Sequence, residues 1–356
     1  VLATPDGRVV ATTDFLLEGR HFRRDWSSAR DVGHKAAARS LADVAAMGAV
    51  PSALLVALAV PADLPVSWAR ELALGLAAEC ARVTGPGASV IGGDTARAPS
   101  VLLAVTGLGD LAGRAPVLRS GAVPGDLVAV AGPLGHAAAG LALLSSELVS
   151  SGLAELSAGL RQDPMVAAQL RPAPPYDAGP EAADLGATAM IDISDGLLAD
   201  LGHIAAASGV RIDLARDALR PAGTALLTAA RAVLASRRHV SFGRTDPGSS
   251  AEPTITRPAE ALPAGPPLPA GPPLPAGPPL LQAPLLQAPE LQAPELQALR
   301  WVLSGGEDHS FAATFPPGVR LPSRWTVIGA VRPGQDVVVD GQPWPEAGGW
   351  DHFASG

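Results

Sequence analysis

A single cysteine, Cys80, occurs in 356 residues. An internal disulfide framework is therefore excluded. The thiol sits in an Ala/Leu-rich helical pattern and reads as a small core residue of a protein in a reducing cytoplasm. Lysine is equally scarce: Lys35 is the only one, and arginine supplies the remaining positive charge. The net charge is -8 at pH 7, which argues against a nucleic-acid partner, because that would need a basic face. No apolar run is long and uninterrupted enough to span a bilayer, and no basic segment followed by an apolar stretch marks a secretory leader. The Gly-x-x-x-x-Gly-Lys-Ser/Thr loop is missing, and no Cys/His pair has zinc-ligand spacing. Hydrophobic residues still make up 47% of the chain, enough for a sizeable core in two domains or one large one.

Strand and helix signals alternate along the first part. Val9 to Thr13 reads as a strand ending at Asp14, Asp31 to Met47 as a helix stopped by Gly48 and Pro51, and Leu54 to Val60 as a buried strand. Val66 to Val83 is a long amphipathic helix, with strands at Ser89–Ile91 and Val101–Leu108. A second half begins after Arg119: a strand at Leu127–Ala131, a helix at Gly135–Leu148, a helix at Leu198–Ala207 and a strand at Val210–Leu214. Short strands follow at Phe311–Phe315, Trp325–Val331 and Val337–Val339. The sum is α/β or α+β in two lobes, 1–118 and 119–356. From about His239 to Gln297 the chain is polar and Pro-rich. Leu-Pro-Ala-Gly-Pro-Pro repeats three times from Leu262 to Pro279, and Leu-Gln-Ala-Pro follows at Leu281, Leu286 and Leu291. Such repeats suit a surface insertion outside the packed core.

The most informative run is Met190-Ile-Asp-Ile-Ser-Asp-Gly196. A short apolar strand carries Asp192 and Asp195 with Ser194 between them, and Gly196 opens a helix. Acids at the end of a buried strand need a cation or a donor. Oxygen ligands alone suit a hard cation such as Mg²⁺. The run by itself fits a helix cap equally well. Similar clusters recur: Thr12-Thr13-Asp14, Ile91-Gly-Gly93-Asp94-Thr95 and Ser304-Gly-Gly-Glu307-Asp308. Asp43 falls on one helical stripe with Val32, Ala36, Ser40 and Met47, while Lys35 and Arg39 fall on another. The glycines let backbone N–H groups approach phosphate oxygens.

In this order the strings resemble the thiamine-monophosphate kinase family, within the aminoimidazole-ribonucleotide-synthetase-like ATP-binding superfamily. The residues that carry the resemblance are Thr12-Thr13-Asp14 with His21-Phe22, Lys35-Ala36, Leu41-Ala-Asp43 and Ile91-Gly-Gly93-Asp94. Arg119-Ser-Gly, Ile191-Asp192-Ile-Ser194-Asp195-Gly196, Ser-Gly-Gly-Glu307-Asp308 and Gly349-Trp350-Asp-His-Phe353 complete the set. The resemblance implies a two-domain fold whose N-terminal domains pair into a β-barrel in a homodimer. It implies transfer of the ATP γ-phosphoryl group to thiamine monophosphate with Mg²⁺. Thr12, Thr13, Asp14, Asp43, Asp94, Asp192 and Asp195 are then the metal ligands, with Asp14, Asp43 and Asp195 at the reacting centre. Gly93, Asp94, Arg119 and Ser194 are implied to meet ATP, and His21, Glu307 and Trp350 the thiamine phosphate. The family carries a Gly-Asp-Asp-Ala-Ala string ahead of the first strand, and the sequence starts at Val1 without it, so a truncated N-terminus lacking one metal ligand is expected. Ser40 stands at a position where the family has Asn, and His309-Ser310 where it has an aromatic and an acid. Two other readings stay open: a catalytically impaired remnant that binds nucleotide or thiamine phosphate, and a sister ATP enzyme with another substrate.

Overall fold

The computed structural model describes residues 4, 6–84, 87–151, 158–242, 292–346 and 348–349. The first sheet is built from β1 (Val10–Leu17), β2 (Val50–Val60), β3 (Ser89–Arg97) and β4 (Leu102–Asp110), in the order β1-β4-β2-β3. Helices α1 (Ala29–Ala46) and α2 (Val66–Cys80) lie between its strands in sequence. In β1 the alternation is strict. Thr12, Asp14 and Leu16 turn inward, while Ala11, Thr13 and Phe15 are exposed. The outer face of the sheet stays open, with Phe15 58%, Ile91 49% and Leu55 39% exposed.

The rest of the chain forms a seven-stranded sheet and its helices. In chain order these are β5 (Leu127–Ala131), α3 (His136–Ser151), α4 (Ala158–Arg161), α5 (Pro164–Leu170), α6 (Ala178–Asp184) and β6 (Ala189–Ile193). Next come α7 (Leu197–Ser208), β7 (Arg211–Leu214), α8 (Arg216–Phe242), α9 (Ala293–Ser304), β8 (Ser310–Phe315), β9 (Trp325–Arg332), β10 (Val337–Val339) and β11 (Gln342–Pro343). The strand order is β11-β10-β7-β9-β5-β8-β6. Only the β7–β10 pair is parallel among the described strands of this sheet. One face carries α3, α5, α7, α8 and α9 over a core that includes Ile193, Leu201, Leu226 and Val302. Met190, Phe311 and Phe315, on the other face, join a core shared with α1 and the first sheet.

Helix α1 is thus enclosed between the two sheets. It starts at a capping box, in which the Asp31 N–H donates to Ser28 Oγ and the Ser28 N–H to the Asp31 carboxylate. It stops at Met47, followed by Gly48 with φ +77°. Fourteen of its eighteen residues are buried, and only small side chains permit that: Ala36, Ala37, Ala38, Ala42, Ala45 and Ala46 are all buried in it. Where α1 crosses α2 the backbones nearly touch. A Cβ on Gly33 would lie 2.2 Å from the Leu72 carbonyl oxygen, and one on Gly75 2.2 Å from that of Arg30.

Several elements depart from the sequence expectations. Strand β3 runs on through Arg97, so Gly92, Gly93 and Asp94 are mid-strand residues rather than a loop past a strand end. Pro51, expected as a stop, lies inside β2 at a register shift between Pro51 and Ala53, where the missing N–H is tolerated. Both expected edges of the repeat segment fall in helices: α8 extends past His239 to Phe242, and α9 begins at Ala293, before Gln297. Pro294 fits there because the first helical turn needs no N–H donor from it.

Replacing Gly75 by Ala is expected to destabilise the protein by about 1–3 kcal/mol, since the added methyl meets backbone rather than a movable side chain. Denaturant unfolding of Gly75→Ala beside Gly202→Ala, where a Cβ meets nothing within 4 Å, checks this.

Candidate active site

The turn after β6 is held by a residue the sequence reading did not single out. Asp200, in the first turn of α7, accepts the N–H groups of Ser194, Asp195 and Gly196, each at 3.0 Å. Gly196, at φ +127°, passes close to Ser304: a Cβ there would be 2.8 Å from its carbonyl oxygen. Burial, with Asp192 and then Asp195 nearby, pushes the Asp200 carboxyl up to about 8 against its three donors. The only sequence signal for this role was an acid four residues past Gly196. Asp192 itself is 5% exposed, and its Oδ2 lies 3.1 Å from His309 Nδ1. The His309 Nε2 is buried with no partner among the described residues. Its backbone adopts φ +51° and that of Glu307 φ +69°, so this loop is strained at two non-glycine positions.

Across from this turn stand β1 and α1. Thr12 Oγ1 donates to Asp43 Oδ2 at 2.6 Å, and Ser40 Oγ lies 3.0 Å from Asp14 Oδ2. Burial, then the carboxylates of Asp192 and Asp14, push the Asp43 carboxyl up to about 8. The stripe that was to separate Asp43 from Arg39 does not do so. Lys35, Arg39 and Asp43 succeed one another at i, i+4 spacing, and Arg39 and Asp43 line the same cavity.

Glu307 is the hub of the opposite side. It receives Lys35 Nζ at 2.9 Å, Gln169 Nε2 at 2.8 Å and Arg39 Nη1 at 3.3 Å. Burial alone raises a carboxyl, but here the charges of Lys35 and Arg39 and the donated bonds outweigh it and hold Glu307 at about 2. Lys35 is 3% exposed and also donates to the His21 carbonyl at 3.1 Å. The His21 Nδ1 accepts the Leu17 N–H at 3.0 Å, which places the proton of the neutral ring on Nε2. Burial, then Arg39, lowers His21 to about 4.

These groups converge on a cavity of about 620 Å³. Asp14, His21, Asp43, Ser194, Asp195 and Glu307 line it, beside Arg39, Gln169, Trp26 and Gly349. Thr12 and Asp192 reach it through Asp43 and His309. Four expected site residues stand elsewhere. The Thr13 hydroxyl is on the outer sheet face, 3.2 Å from that of Thr106. Asp94 is exposed and registers through Ala57 and Ala104 with Phe15. Three strand spacings, roughly 14 Å, separate it from β1. Gly93 registers with Val56 in the adjoining row. Arg119 is exposed, and its carbonyl accepts Ser208 Oγ at 3.1 Å. Trp350 lies outside the described residues.

The donor set of Asp14, Asp43, Asp192 and Asp195 is all oxygen, which fits Mg²⁺. Among the described residues no three His, Cys, Asp or Glu side chains converge as a ready-made cation cluster.

Two enclosed layers meeting at an acid-lined cavity define the class. Residues 1–111 match the N-terminal domain, and residues 123–234 the C-terminal domain, of AIR synthase related proteins. Thiamine-monophosphate kinase of Mycobacterium tuberculosis (strain CDC 1551 / Oshkosh) is 39% identical over 354 residues, covering 99% of this chain and 83% of that protein. The chain belongs to the thiamine-monophosphate kinase family. The solved structure of AaThiL complexed with AMPPCP and TMP aligns with 99% of this chain and 89% of that one, at 26% identity and a TM-score of 0.68. The thiamine-monophosphate kinase of Stenotrophomonas maltophilia K279a aligns with 94% and 86%, at 28% identity and a TM-score of 0.64.

A carboxyl raised from 3.8 to about 8 stabilises the fold fully only below pH 3.8, and that contribution is lost as pH rises through 8. Asp43→Asn is therefore expected to flatten the loss of stability over that range. Its Tm without metal at pH 8 should rise by roughly 2–4 °C, while stabilisation by Mg²⁺ with nucleotide should disappear. Thermal melts from pH 5 to pH 8, with and without Mg²⁺ and nucleotide, check both.

Proposed function

We propose that the protein transfers the γ-phosphoryl group of ATP to thiamine monophosphate, giving thiamine diphosphate and ADP. The observation that carries this reading is the joining, in one cavity, of an acidic side at Asp14, Asp43 and Asp195 to the anchored pair Glu307 and His21. The reaction needs both. An oxygen of the acceptor phosphate forms a bond to the γ-phosphorus, the bond to the β-phosphate oxygen breaks, and the electron pair leaves with ADP. No proton must move, so positioning and charge stabilisation do most of the work.

Asp14, Asp43, Asp192 and Asp195, with the Thr12 hydroxyl, would hold Mg²⁺. The metal supplies neutralisation of phosphate charge and a template for in-line approach. Ser194, fixed by Asp200 from behind, meets the nucleotide. His21, kept neutral by its low pKa, offers Nε2–H to a phosphate oxygen. Glu307, kept ionised, suits the positive charge of a thiamine ring, and the Trp26 side chain adds an aromatic wall. Gly93, Asp94, Arg119, Thr13 and Trp350 keep the roles in metal, nucleotide and substrate binding that family membership suggests. The open outer face of the first sheet supports a homodimer joined there, since Phe15, Leu55 and Ile91 leave apolar surface exposed. Asp94 and Thr13 lie on that face, so pairing would bring them near a second copy of the chain.

Incubation with ATP, Mg²⁺ and thiamine monophosphate should yield thiamine diphosphate, and chelation of the metal should stop it. Nucleotide binding without any product would favour the non-catalytic remnant. Glu307→Gln is expected to raise KM for thiamine monophosphate about tenfold, as loss of a charge-assisted contact of about 1.4 kcal/mol implies. Phe15→Asp should shift sedimentation from dimer to monomer, and a wild-type monomer at all concentrations would remove the dimer.

A further inference from the structure

Arg39 has no role in the reading above, yet it stands where the two sides of the cavity meet. Its Nη1 is 3.3 Å from Glu307 Oε1 and its Nη2 3.9 Å from Asp14 Oδ1. It is thus paired with an acid on each side. Both contacts are long for charge-assisted bonds, which settle near 2.7–2.9 Å. Its Nε is buried with no partner among the described residues, and the side chain, 14% exposed, lines the cavity. A guanidinium has five N–H donors in a planar fork, and here most of them are unclaimed. Lys35 is the contrasting case. Its Nζ already serves Glu307 and the His21 carbonyl, and it is absent from the cavity wall.

Resting on the kinase reading, we propose that Arg39 is a further catalytic residue, contacting the phosphoryl group as it passes between nucleotide and acceptor. Two polyanions have to approach each other in this cavity. As the bond to the β-phosphate breaks and the bond to the acceptor oxygen forms, negative charge stays on the peripheral oxygens of the moving group. A forked cation tethered on both sides, and tightly bound on neither, can follow that group. Its two acids hold it across the gap without saturating its donors. It supplies charge where the acids of the nucleotide side give way to the substrate side.

The test is steady-state kinetics on Arg39→Met, which keeps the length and apolar stem but lacks charge. The expected result is a kcat lowered about 100-fold or more, with KM for ATP and thiamine monophosphate each changed by less than about threefold. Added methylguanidinium should restore part of the turnover, which a purely structural role would not allow. Arg39→Lys, with charge but no fork, should fall between wild type and Arg39→Met. A folded Arg39→Met with unchanged kcat, a loss confined to KM, or no response to methylguanidinium overturns the proposal. Should Arg39→Met fail to fold by circular dichroism, a wild-type kcat in Arg39→Lys overturns it and a reduced one supports it. A wild-type protein without turnover overturns the kinase reading as well, whereas an active wild type beside an active Arg39→Met overturns the role of Arg39 alone.

Discussion

Everything in the molecule is arranged around one helix that has no free side. Helix α1 packs against the first sheet, against α2 and against the second sheet, so its surface must be small and closely fitted. Beyond Arg30 at its start, a helix in that position turns few polar residues to solvent. Lys35, Arg39, Ser40 and Asp43 find acidic or hydroxyl partners along the seam where the layers part. The seam is where β1, the turn after β6 and the loop after α9 bring their acids. The cavity is thus a consequence of packing: it is an edge at which a buried helix keeps charge, as its first turn does where Asp31 meets Arg171.

The charges along the seam are sorted rather than mixed. Acids predominate on the side of Asp14, Asp43 and Asp195, where burial, and then the neighbouring carboxylates, raise Asp43 and Asp200 to about 8. On the other side, Glu307 is held at about 2 against its burial by Lys35 and Arg39, and burial, then Arg39, lowers His21 to about 4. A molecule with one positive and one negative end is oriented by such a field before any specific contact forms. On the kinase reading, a polyphosphate with its cations would lower the energy of the acidic side.

The parts of this arrangement that were legible in the sequence are those set by local pattern. Helix α1, strand β5 and the acid–hydroxyl–acid run of Asp192, Ser194 and Asp195 follow from periodicity and turn residues. What was not legible depends on partners distant in the chain. The role of Asp200 rests on three N–H groups of a turn whose shape no residue type announces. Arg39 was assigned to a stripe apart from Asp43, because the stripe was drawn through Val32, Ala36 and Met47, although i, i+4 spacing sets Arg39 beside Asp43. Asp94 read as a strand-end acid beside glycines, but Ile91, Gly92 and Gly93 pair with or bulge against β2 and carry it along the open edge of the sheet. Helix α9 was hidden by Leu-Gln-Ala-Pro units that look identical whether or not the last one begins a helix.

The insertion between α8 and α9 has a consequence for how this chain can vary. The two helices pack on each other and share one core, through Leu226, Ala230 and Val233 on one side and Ala298 and Val302 on the other. The ends of the connection are therefore held together by the fold itself. Closing a longer loop between fixed ends costs only about 0.6 kcal/mol for each doubling of its length. Tandem six-residue units can accordingly be gained or lost, as repetitive coding sequence tends to do, with almost no thermodynamic penalty. The contacts between α8 and α9, and the Glu307 loop that follows them, do not depend on how many units the connection holds.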